Sequence, residues 1–155
     1  MPRGDAQRRR PGGAALPPDN REDPKIREVL TQSRTIAVVG ASPRPERDSH
    51  DVMAYLQARG HRVIPVNPSC AGREILGERV YATLQEIPEA VDLVDVFRRS
   101  EHAGEAVDGA IEVGAKAVWL QLGVVDREAA ARAEAAGLKV VMDRCPMIEI
   151  PRLGL

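Results

Sequence analysis

The chain has 155 residues, enough for one domain with a tail but not for two domains. Its formal net charge of -1 gives no overall basic field that would attract nucleic acid or an anionic membrane. Its two cysteines form no C-x-x-C motif, which is typical of a reducing compartment and provides no zinc framework. No apolar run could span a bilayer, and no apolar segment follows the charged N-terminus as in a signal peptide. We therefore expect a cytoplasmic protein with neither nucleic acid nor membrane partners.

The N-terminal segment differs in composition from the rest of the chain. Residues 1–22 are rich in arginine, proline, glycine and alanine and have no periodic apolar pattern. Such a segment cannot bury enough apolar surface to fold, so we predict a disordered tail over residues 1–22. A single domain is predicted over residues 23–155, beginning with a short amphipathic helix that carries Ile26, Val29 and Leu30 on one face.

The first predicted strand is followed by a glycine turn and a helix. Residues 35–39 form a β-branched, apolar run that is typical of a buried parallel strand, and the run stops at Gly40. After a polar loop, Asp48 or Ser49 is predicted to cap a helix that ends at Gly60. This arrangement is typical of an anion site, because glycine lets the backbone approach a ligand and the helix N-terminus supplies free N–H groups.

Strands and helices alternate along the rest of the chain. Further strands are predicted at 61–66, 91–97, 115–122 and 138–142, with residues 69–77 as a loop. Ser100 and Asp126 are predicted to cap two helices that end at Gly114 and Gly137, and Pro146 stops the last strand. Crossover helices require parallel strands, so we predict an α/β, Rossmann-like, doubly wound parallel sheet of about five strands with helices on both faces.

Ligands of such sheets bind at the carboxyl ends of the strands, where the strand order reverses. This rule selects the residues that follow each predicted strand as candidates for a site that binds a phosphorylated small molecule. They are Gly40, Ala41 and Ser42, then Asn67 and Pro68, then Phe97, Arg98 and Arg99, then Gln121 and Gly123, and finally Asp143, Arg144 and Cys145.

The pattern expected for a dinucleotide is missing. A G-x-G-x-x-G motif starting at Gly40 would need glycines at positions 42 and 45, which hold serine and proline. The acidic residue that would bond the ribose at the end of the second strand is also missing, since Asn67 and Pro68 stand there. Arg62 or Arg73 would favour NADP only if the glycines were present. Both absences count against NAD.

Several short motifs at the strand ends resemble one family. VGAS at 39–42, VNP at 66–68, Gly77, VDVFR at 94–98, VWLQLG at 118–123 and DRC at 143–145 are similar to those of the CoA-binding domain family. These are stand-alone relatives of the N-terminal CoA-binding domain of succinyl-CoA synthetase α subunits. The resemblance covers about residues 26–150, and the motifs occur in the matching order.

The resemblance implies a ligand and a role for each motif. Coenzyme A, or an acyl-CoA, would bind at the strand ends. Gly40, Ala41 and Ser42 would lie against the phosphates, with Arg44 and Arg47 supplying charge. Asn67 and Pro68 would flank the adenosine. Phe97 and Arg98 would line the groove, and Gln121 and Gly123 would contact the pantetheine arm. The synthetase's phosphorylated histidine belongs to a second domain that has no counterpart here, so the resemblance implies binding without ligase chemistry.

Other interpretations stay open at this point. The chain could be a nucleotide-dependent enzyme, either an NAD(P) oxidoreductase or a component of an acyl-CoA ligase, and a protein partner is possible. Gly40 could be only a tight turn, and Asn67-Pro68 only the stop of a strand. Cys145 is either an inert buried thiol or a neighbour of the CoA thiol. The sequence Ser49-His50-Asp51 cannot form a hydrolase triad, because consecutive helical side chains point about 100° apart.

Overall fold

The computed structural model describes residues 20–155. The predicted disordered tail lies outside the described residues, except that Asn20–Glu22 form one 3₁₀ turn. The domain prediction for residues 23–155 is compatible with the single sheet described below, which runs through this part of the chain.

Five parallel strands form the central sheet, in the spatial order β2-β1-β5-β6-β7. They are β1 (Thr35–Val39), β2 (Arg62–Val66), β5 (Leu93–Val96), β6 (Ala117–Leu120) and β7 (Lys139–Met142). A separate antiparallel pair, β3 (Glu74–Ile75) and β4 (Glu78–Arg79), forms a small hairpin where the sequence predicted only a loop. The predicted Rossmann-like parallel sheet is confirmed.

Five helices cover the two faces of this sheet. They are α1 (Asp23–Gln32), α2 (Asp48–Ala58), α3 (Ser100–Glu112), α4 (Arg127–Ala135) and α5 (Pro146–Arg152). Helices α3 and α4 bury mainly alanine and valine against one face, and α1, α2 and α5 bury larger side chains against the other, where Trp119 is fully enclosed. Trp119 is therefore a core residue.

The strand order reverses between β1 and β5. The chain passes from β1 outward to β2 and then returns to the opposite side of β1 to form β5, β6 and β7 in sequence. In an open α/β sheet such a reversal leaves a crevice at the carboxyl ends of the two central strands, because their following helices leave on opposite faces. The residues after β1 and β5 therefore flank that crevice.

The N-terminal caps predicted from the sequence agree with the structure for one helix and differ from it for two. Asp126 caps α4 as predicted, since its Oδ1 accepts a hydrogen bond from the backbone N–H of Ala129 at 3.0 Å. The predictions of Asp48 or Ser49 as the cap of α2, and of Ser100 as the cap of α3, were wrong, since all three residues lie inside their helices. The Ser49 hydroxyl accepts a hydrogen bond from the loop N–H of Ser42, and the Ser100 hydroxyl accepts one from that of Val125. These hydroxyls fix loops rather than helix ends.

Candidate functional site

A cleft of about 530 Å³ opens at the carboxyl edge of the sheet. It runs from the loop after β1 and the first turns of α2, across the ends of β5 and β6, to the start of α5. Six of the residues predicted from sequence line it together, namely Gly40, Ser42, Arg47, Phe97, Gln121 and Cys145. The cleft lies at the reversal of strand order, where an α/β sheet of this kind binds its ligand.

The backbone of Gly40, which follows β1, lies very close to the backbone of Phe97, which follows β5. Its φ of +88° lies in the left-handed region, and its N–H donates a hydrogen bond to the carbonyl of Val66 at 2.9 Å. A Cβ at Gly40 would lie 2.2 Å from the carbonyl oxygen of Phe97. The sequence interpretation assigned the need for glycine to an approaching ligand. The structure explains the need for glycine without a ligand, because the backbone of Phe97 already fills the space that a side chain at Gly40 would need.

The N-terminus of α2 has no side-chain cap. The residue before the helix is Arg47, in extended conformation, and no side chain bonds the first N–H groups of the helix. The Ser42 hydroxyl accepts from the N–H of Arg44 at 3.1 Å, and the Ser42 N–H donates to the Ser49 hydroxyl at 3.1 Å. The loop is thus held by Ser42 and Ser49. The N–H groups of His50 and Asp51 donate to the Arg47 carbonyl, so those of Asp48 and Ser49 keep their capacity to bind an anion.

Charges of both signs surround this end of the cleft. Arg44, Arg47, Arg98 and Arg99 all follow strand ends, and within residues 20–155 none of the four forms an ion pair. Asp48 and Asp51, in the first turn of α2, also line the cleft, where they interact favourably with the helix dipole. An anion bound here would be favoured by the helix and the arginines, and opposed by these two carboxylates.

Gln121 contributes an unused hydrogen-bond acceptor to the cleft floor. It follows β6, its side chain is only 6% exposed, and its Oε1 atom has no hydrogen-bond partner in the described part of the chain. A buried acceptor without a partner is destabilising by about 1–3 kcal/mol. A donor from a ligand, or a water molecule in the cleft, would supply the missing bond.

A second polar side chain without a hydrogen-bond partner is buried within the neighbouring strand β5. Asp95, in the middle of β5, is fully buried, and neither of its carboxylate oxygens has a partner among residues 20–155. Burial raises the pKa of the Asp95 carboxyl well above its usual range, because an isolated charge is poorly solvated there. Asp95 does not line the cleft, so it cannot touch a ligand directly in this conformation.

Six predicted contact residues do not line the cleft. Ala41 is buried beneath the loop, so only its backbone is near the edge of the sheet. The Asn67 side chain is fully engaged, since its Nδ2 donates to the carbonyl of Ala41 at 2.7 Å and its Oδ1 accepts from the N–H of Ser69 at 3.0 Å. The remaining four are Arg44, Pro68, Arg98 and Gly123.

The far end of the cleft is apolar and was largely missed from the sequence. Leu122, Val124, Cys145, Met147 and Ile148 line it, and the last two belong to α5, which was not predicted. Pro146 was interpreted only as a strand stop, although proline is also favoured at the first position of a helix. That signal, followed by the apolar residues Met147, Ile148 and Ile150, was sufficient to indicate α5.

The segment that leads into α5 is held firmly. The indole N–H of Trp119 donates to the carbonyl of Arg144 at 2.7 Å. Glu149, which is buried, accepts from Arg152 at 2.9 Å and lies 3.4 Å from the Arg144 guanidinium. Arg152 also pairs with Asp23 of α1 at 2.6 Å. The apolar end of the cleft is thus built on a fixed element.

Neither a metal-binding cluster nor a membrane-spanning helix occurs within residues 20–155. No group of three histidine, cysteine, aspartate or glutamate residues there is arranged to hold a metal ion. None of the helices in this part of the chain has both the length and the apolar character that a bilayer crossing requires.

The parallel sheet, the glycine turn and the cleft at the strand reversal define a Rossmann-like α/β domain with a small-molecule site. Comparison with known sequences identifies the family to which this domain belongs. The profile of a CoA binding domain family matches residues 34–151, and the chain therefore belongs to this family. The resemblance inferred from the strand-end motifs is confirmed.

Three relatives illustrate the range of the family. The uncharacterized protein YneT of Bacillus subtilis is 41% identical over 121 residues, which cover 78% of this chain and 88% of that protein. A hypothetical protein from Pyrococcus horikoshii has a crystal structure with a TM-score of 0.81, 41% identity, and coverage of 97% and 99% of the two chains. The ADP-forming acetate–CoA ligase I of Archaeoglobus fulgidus is 32% identical over 128 residues, covering 76% of this chain but only 18% of the ligase.

Proposed function

We propose that this protein binds coenzyme A or an acyl-CoA across the carboxyl ends of the strands and catalyses no reaction of its own. Membership of the CoA binding domain family supports the class of ligand. The cleft at the strand reversal supports the place, because it joins an anion-binding helix end to a buried polar floor and an apolar end. A molecule with phosphates at one end and a flexible amide-containing arm at the other matches that order.

The phosphates of CoA belong, in this proposal, at the N-terminus of α2. The uncapped N–H groups of that helix and the unpaired guanidinium groups of Arg44 and Arg47 favour negative charge there. Asp48 and Asp51 oppose it, so the net electrostatic attraction is modest and depends on the arginines. The adenosine would extend toward the end of β2, where Pro68 is exposed and Asn67 acts by holding the loop rather than by contacting the base.

The unpartnered side-chain oxygen of Gln121 is the observation that most favours CoA as the ligand. Its buried Oε1 lacks a hydrogen-bond donor, and the pantetheine arm of CoA carries two amide N–H groups that can supply one. A nicotinamide dinucleotide would place a second nucleotide in this part of the cleft, beside the apolar Leu122 and Val124. We infer that the pantetheine arm lies over the ends of β5 and β6, with Phe97 along one side.

Replacing Gln121 with methionine tests this assignment. Gln121→Met preserves the side-chain length and removes the acceptor, so CoA affinity measured by titration calorimetry should fall about fivefold, the equivalent of one hydrogen bond. The free energy of unfolding should stay unchanged or rise, since a buried unpartnered acceptor is lost. Gln32→Met, at an exposed position on α1 near the opposite edge of the sheet, is the matched control and should change neither quantity. Equal CoA affinity in Gln121→Met and the natural protein would remove Gln121 from the site.

The absence of ligase activity in the protein itself has a separate test. The match to the ADP-forming ligase spans only 18% of that enzyme, so its activity is not transferred here. Incubation of the purified protein with ATP, acetate and CoA should yield no acetyl-CoA by mass spectrometry. Formation of acetyl-CoA at a rate proportional to protein concentration would establish an enzyme and overturn the non-catalytic part of the proposal.

A further inference from the structure

Exposed apolar side chains are concentrated at one end of the cleft. Among residues 20–155, five large hydrophobic side chains are exposed, and three of them, Leu122, Met147 and Ile148, line this one cleft. Ile148 is 51% exposed and Leu122 is 54% exposed. Exposed apolar side chains that have no function are usually scattered singly over the surface, whereas these lie together. The concentration indicates a surface that is covered when the site is occupied.

Buried and exposed apolar side chains lie together at this end of the cleft. Val124 and Cys145 are each only 8% exposed, whereas Leu122, Met147 and Ile148 are exposed. All five line the same cavity as Gln121 and the first turns of α2, so they form an apolar recess within the cleft. An apolar recess continuous with a polar binding cleft has the shape for a narrow apolar chain attached to a polar ligand, whereas a partner protein would require a broader apolar surface.

The elements that line the cleft indicate which part of the ligand reaches the recess. Arg47 and the N-terminus of α2 follow β1, Gln121 follows β6, and the recess lies between the end of β6 and the start of α5, which packs against α2. If the phosphates bind at the β1 end and the pantetheine arm passes Gln121, the sulfur end of the arm points into the recess. Any group attached to that sulfur would contact Leu122, Met147 and Ile148.

We propose that the recess formed by Leu122, Val124, Cys145, Met147 and Ile148 binds the acyl chain of an acyl-CoA thioester. The protein then distinguishes acyl-CoA from free CoA by the apolar surface that the chain covers. This inference rests on the proposed binding of CoA in the cleft. It goes further by naming the form of the ligand and the residues that select it.

Affinity measured against acyl-chain length tests the proposal. The purified protein is titrated with CoA, acetyl-CoA, butyryl-CoA, hexanoyl-CoA and octanoyl-CoA at concentrations below micelle formation. Each methylene that becomes buried should increase affinity by up to about fourfold, which corresponds to about 0.8 kcal/mol per group. We expect a continuous rise from acetyl-CoA to hexanoyl-CoA that levels off once the chain is longer than the recess.

A double variant separates the recess from the rest of the site. Met147→Gln with Ile148→Gln keeps helix-forming side chains of similar length at two exposed positions, so folding should be retained. The variant should lose most of the gain in affinity with chain length, measured as the ratio of its affinity for each acyl-CoA to its own affinity for CoA. Leu76→Gln removes an exposed apolar side chain that is not part of the cleft, and it should leave both CoA and acyl-CoA binding unchanged.

The possible outcomes distinguish this inference from the function on which it rests. No binding of CoA or of any acyl-CoA would overturn both. Binding of CoA with equal affinity for every acyl-CoA, or a chain-length gain that persists in the double variant, would overturn the acyl recess alone. Light scattering provides a further check: if the natural protein is a dimer, the double variant is a monomer and acyl-CoA affinities are equal in both, the surface is a contact between two copies of the chain and the inference is wrong.

Discussion

Gly40 and Phe97 directly follow two neighbouring parallel strands, and the backbone of Gly40 lies so close to Phe97 that an added Cβ would stand 2.2 Å from the Phe97 carbonyl oxygen. The same virtual Cβ would be 3.2 Å from Cδ of Arg98. The neighbouring strands are joined there by a hydrogen bond from the Phe97 N–H to the carbonyl of Val39 at 2.8 Å. The floor of the crevice is therefore backbone packed on backbone.

Replacement of Gly40 by alanine should reduce the stability of the fold. The left-handed φ costs about 1 kcal/mol for alanine, and relief of the contact with Phe97 requires the ends of β1 and β5 to separate. Gly60→Ala is the matched control, because Gly60 has a φ of +93° and nothing within 4 Å of its virtual Cβ. In urea denaturation Gly40→Ala should lose clearly more free energy of unfolding than Gly60→Ala, or fail to fold. Equal losses in the two variants would contradict the packing argument.

Asp95 should make the stability of the protein fall as the pH rises. Burial raises the pKa of its carboxyl in the folded state, so above the unfolded pKa of about 3.9 the folded chain retains a proton that the unfolded chain has lost. The contribution of Asp95 is complete below that pH and decreases toward the folded pKa by up to about 1.4 kcal/mol per pH unit. Asp95→Asn removes the titration, so its unfolding free energy should decrease less between about pH 4 and 7.

Asp92 provides a control of opposite sign on the same segment. Burial would raise the pKa of its carboxyl, but hydrogen bonds from the backbone N–H groups of Thr35 and Arg34 outweigh this and lower it. Its stabilisation is present above the unfolded pKa and is lost as the pH falls through the folded pKa. Urea denaturation across the pH range should give Asp95→Asn and Asp92→Asn profiles that deviate from the natural protein in opposite directions. Parallel profiles for all three would refute the assignment of Asp95 as a buried neutral acid.

Asn67 should affect the site through the loop after β1. Its Nδ2 donates to the buried carbonyl of Ala41, and its Oδ1 caps the 3₁₀ turn Pro68–Cys70. Asn67→Asp keeps the acceptor for Ser69 and loses the donor to Ala41, so the unfolding free energy should fall by about 1–3 kcal/mol, as for a buried acceptor left unpaired. Ser69→Ala, which removes only the exposed hydroxyl that bonds Oδ1, is the control and should cost less. If the two variants are equally stable, Asn67 does not hold the loop.

Cys145 should react with oxidised CoA if the sulfur end of the ligand lies at α5. The Cys145 thiolate would attack one sulfur of CoA disulfide, forming a mixed disulfide and releasing one CoA thiolate. Cys70, also buried but outside the cleft, is the internal control. Intact mass and peptide mapping should locate a reductant-sensitive CoA adduct on Cys145. An adduct on Cys70 alone, or on neither thiol while CoA still binds, would show that Cys145 is only a packing residue.

The sequence predicted the elements whose signals are local. The apolar runs of β1 and β5, the glycine ends of helices and the Asp126 cap depend on neighbouring residues, and these predictions agree with the structure. The hydroxyls of Ser49 and Ser100 were assigned wrongly because their partners lie in loops outside the helices, 7 residues away for Ser49 and 25 residues away for Ser100. Pairing across the fold, rather than local preference, decides such residues.

The same distinction applies to the cleft. Gly40, Phe97 and Gln121 could be placed there from the strand-end rule, which follows from topology alone. Asn67 satisfies the same rule, yet its amide is occupied by the carbonyl of Ala41, a contact that no local pattern encodes. The apolar recess could not be predicted without α5, because Met147 and Ile148 reach the cleft only through the helix that begins at Pro146.

The most direct test of the account is the melting temperature of the purified protein with CoA and with NAD. CoA at about 100 times its Kd should add about 2.7 kcal/mol to the free energy of unfolding, which raises the melting temperature of a domain of this size by roughly 8 °C. NAD at the same concentration should leave the melting temperature unchanged, because the glycines and the acidic residue that bind a dinucleotide are missing. A melting temperature that millimolar CoA does not change and NAD raises would contradict the proposed function.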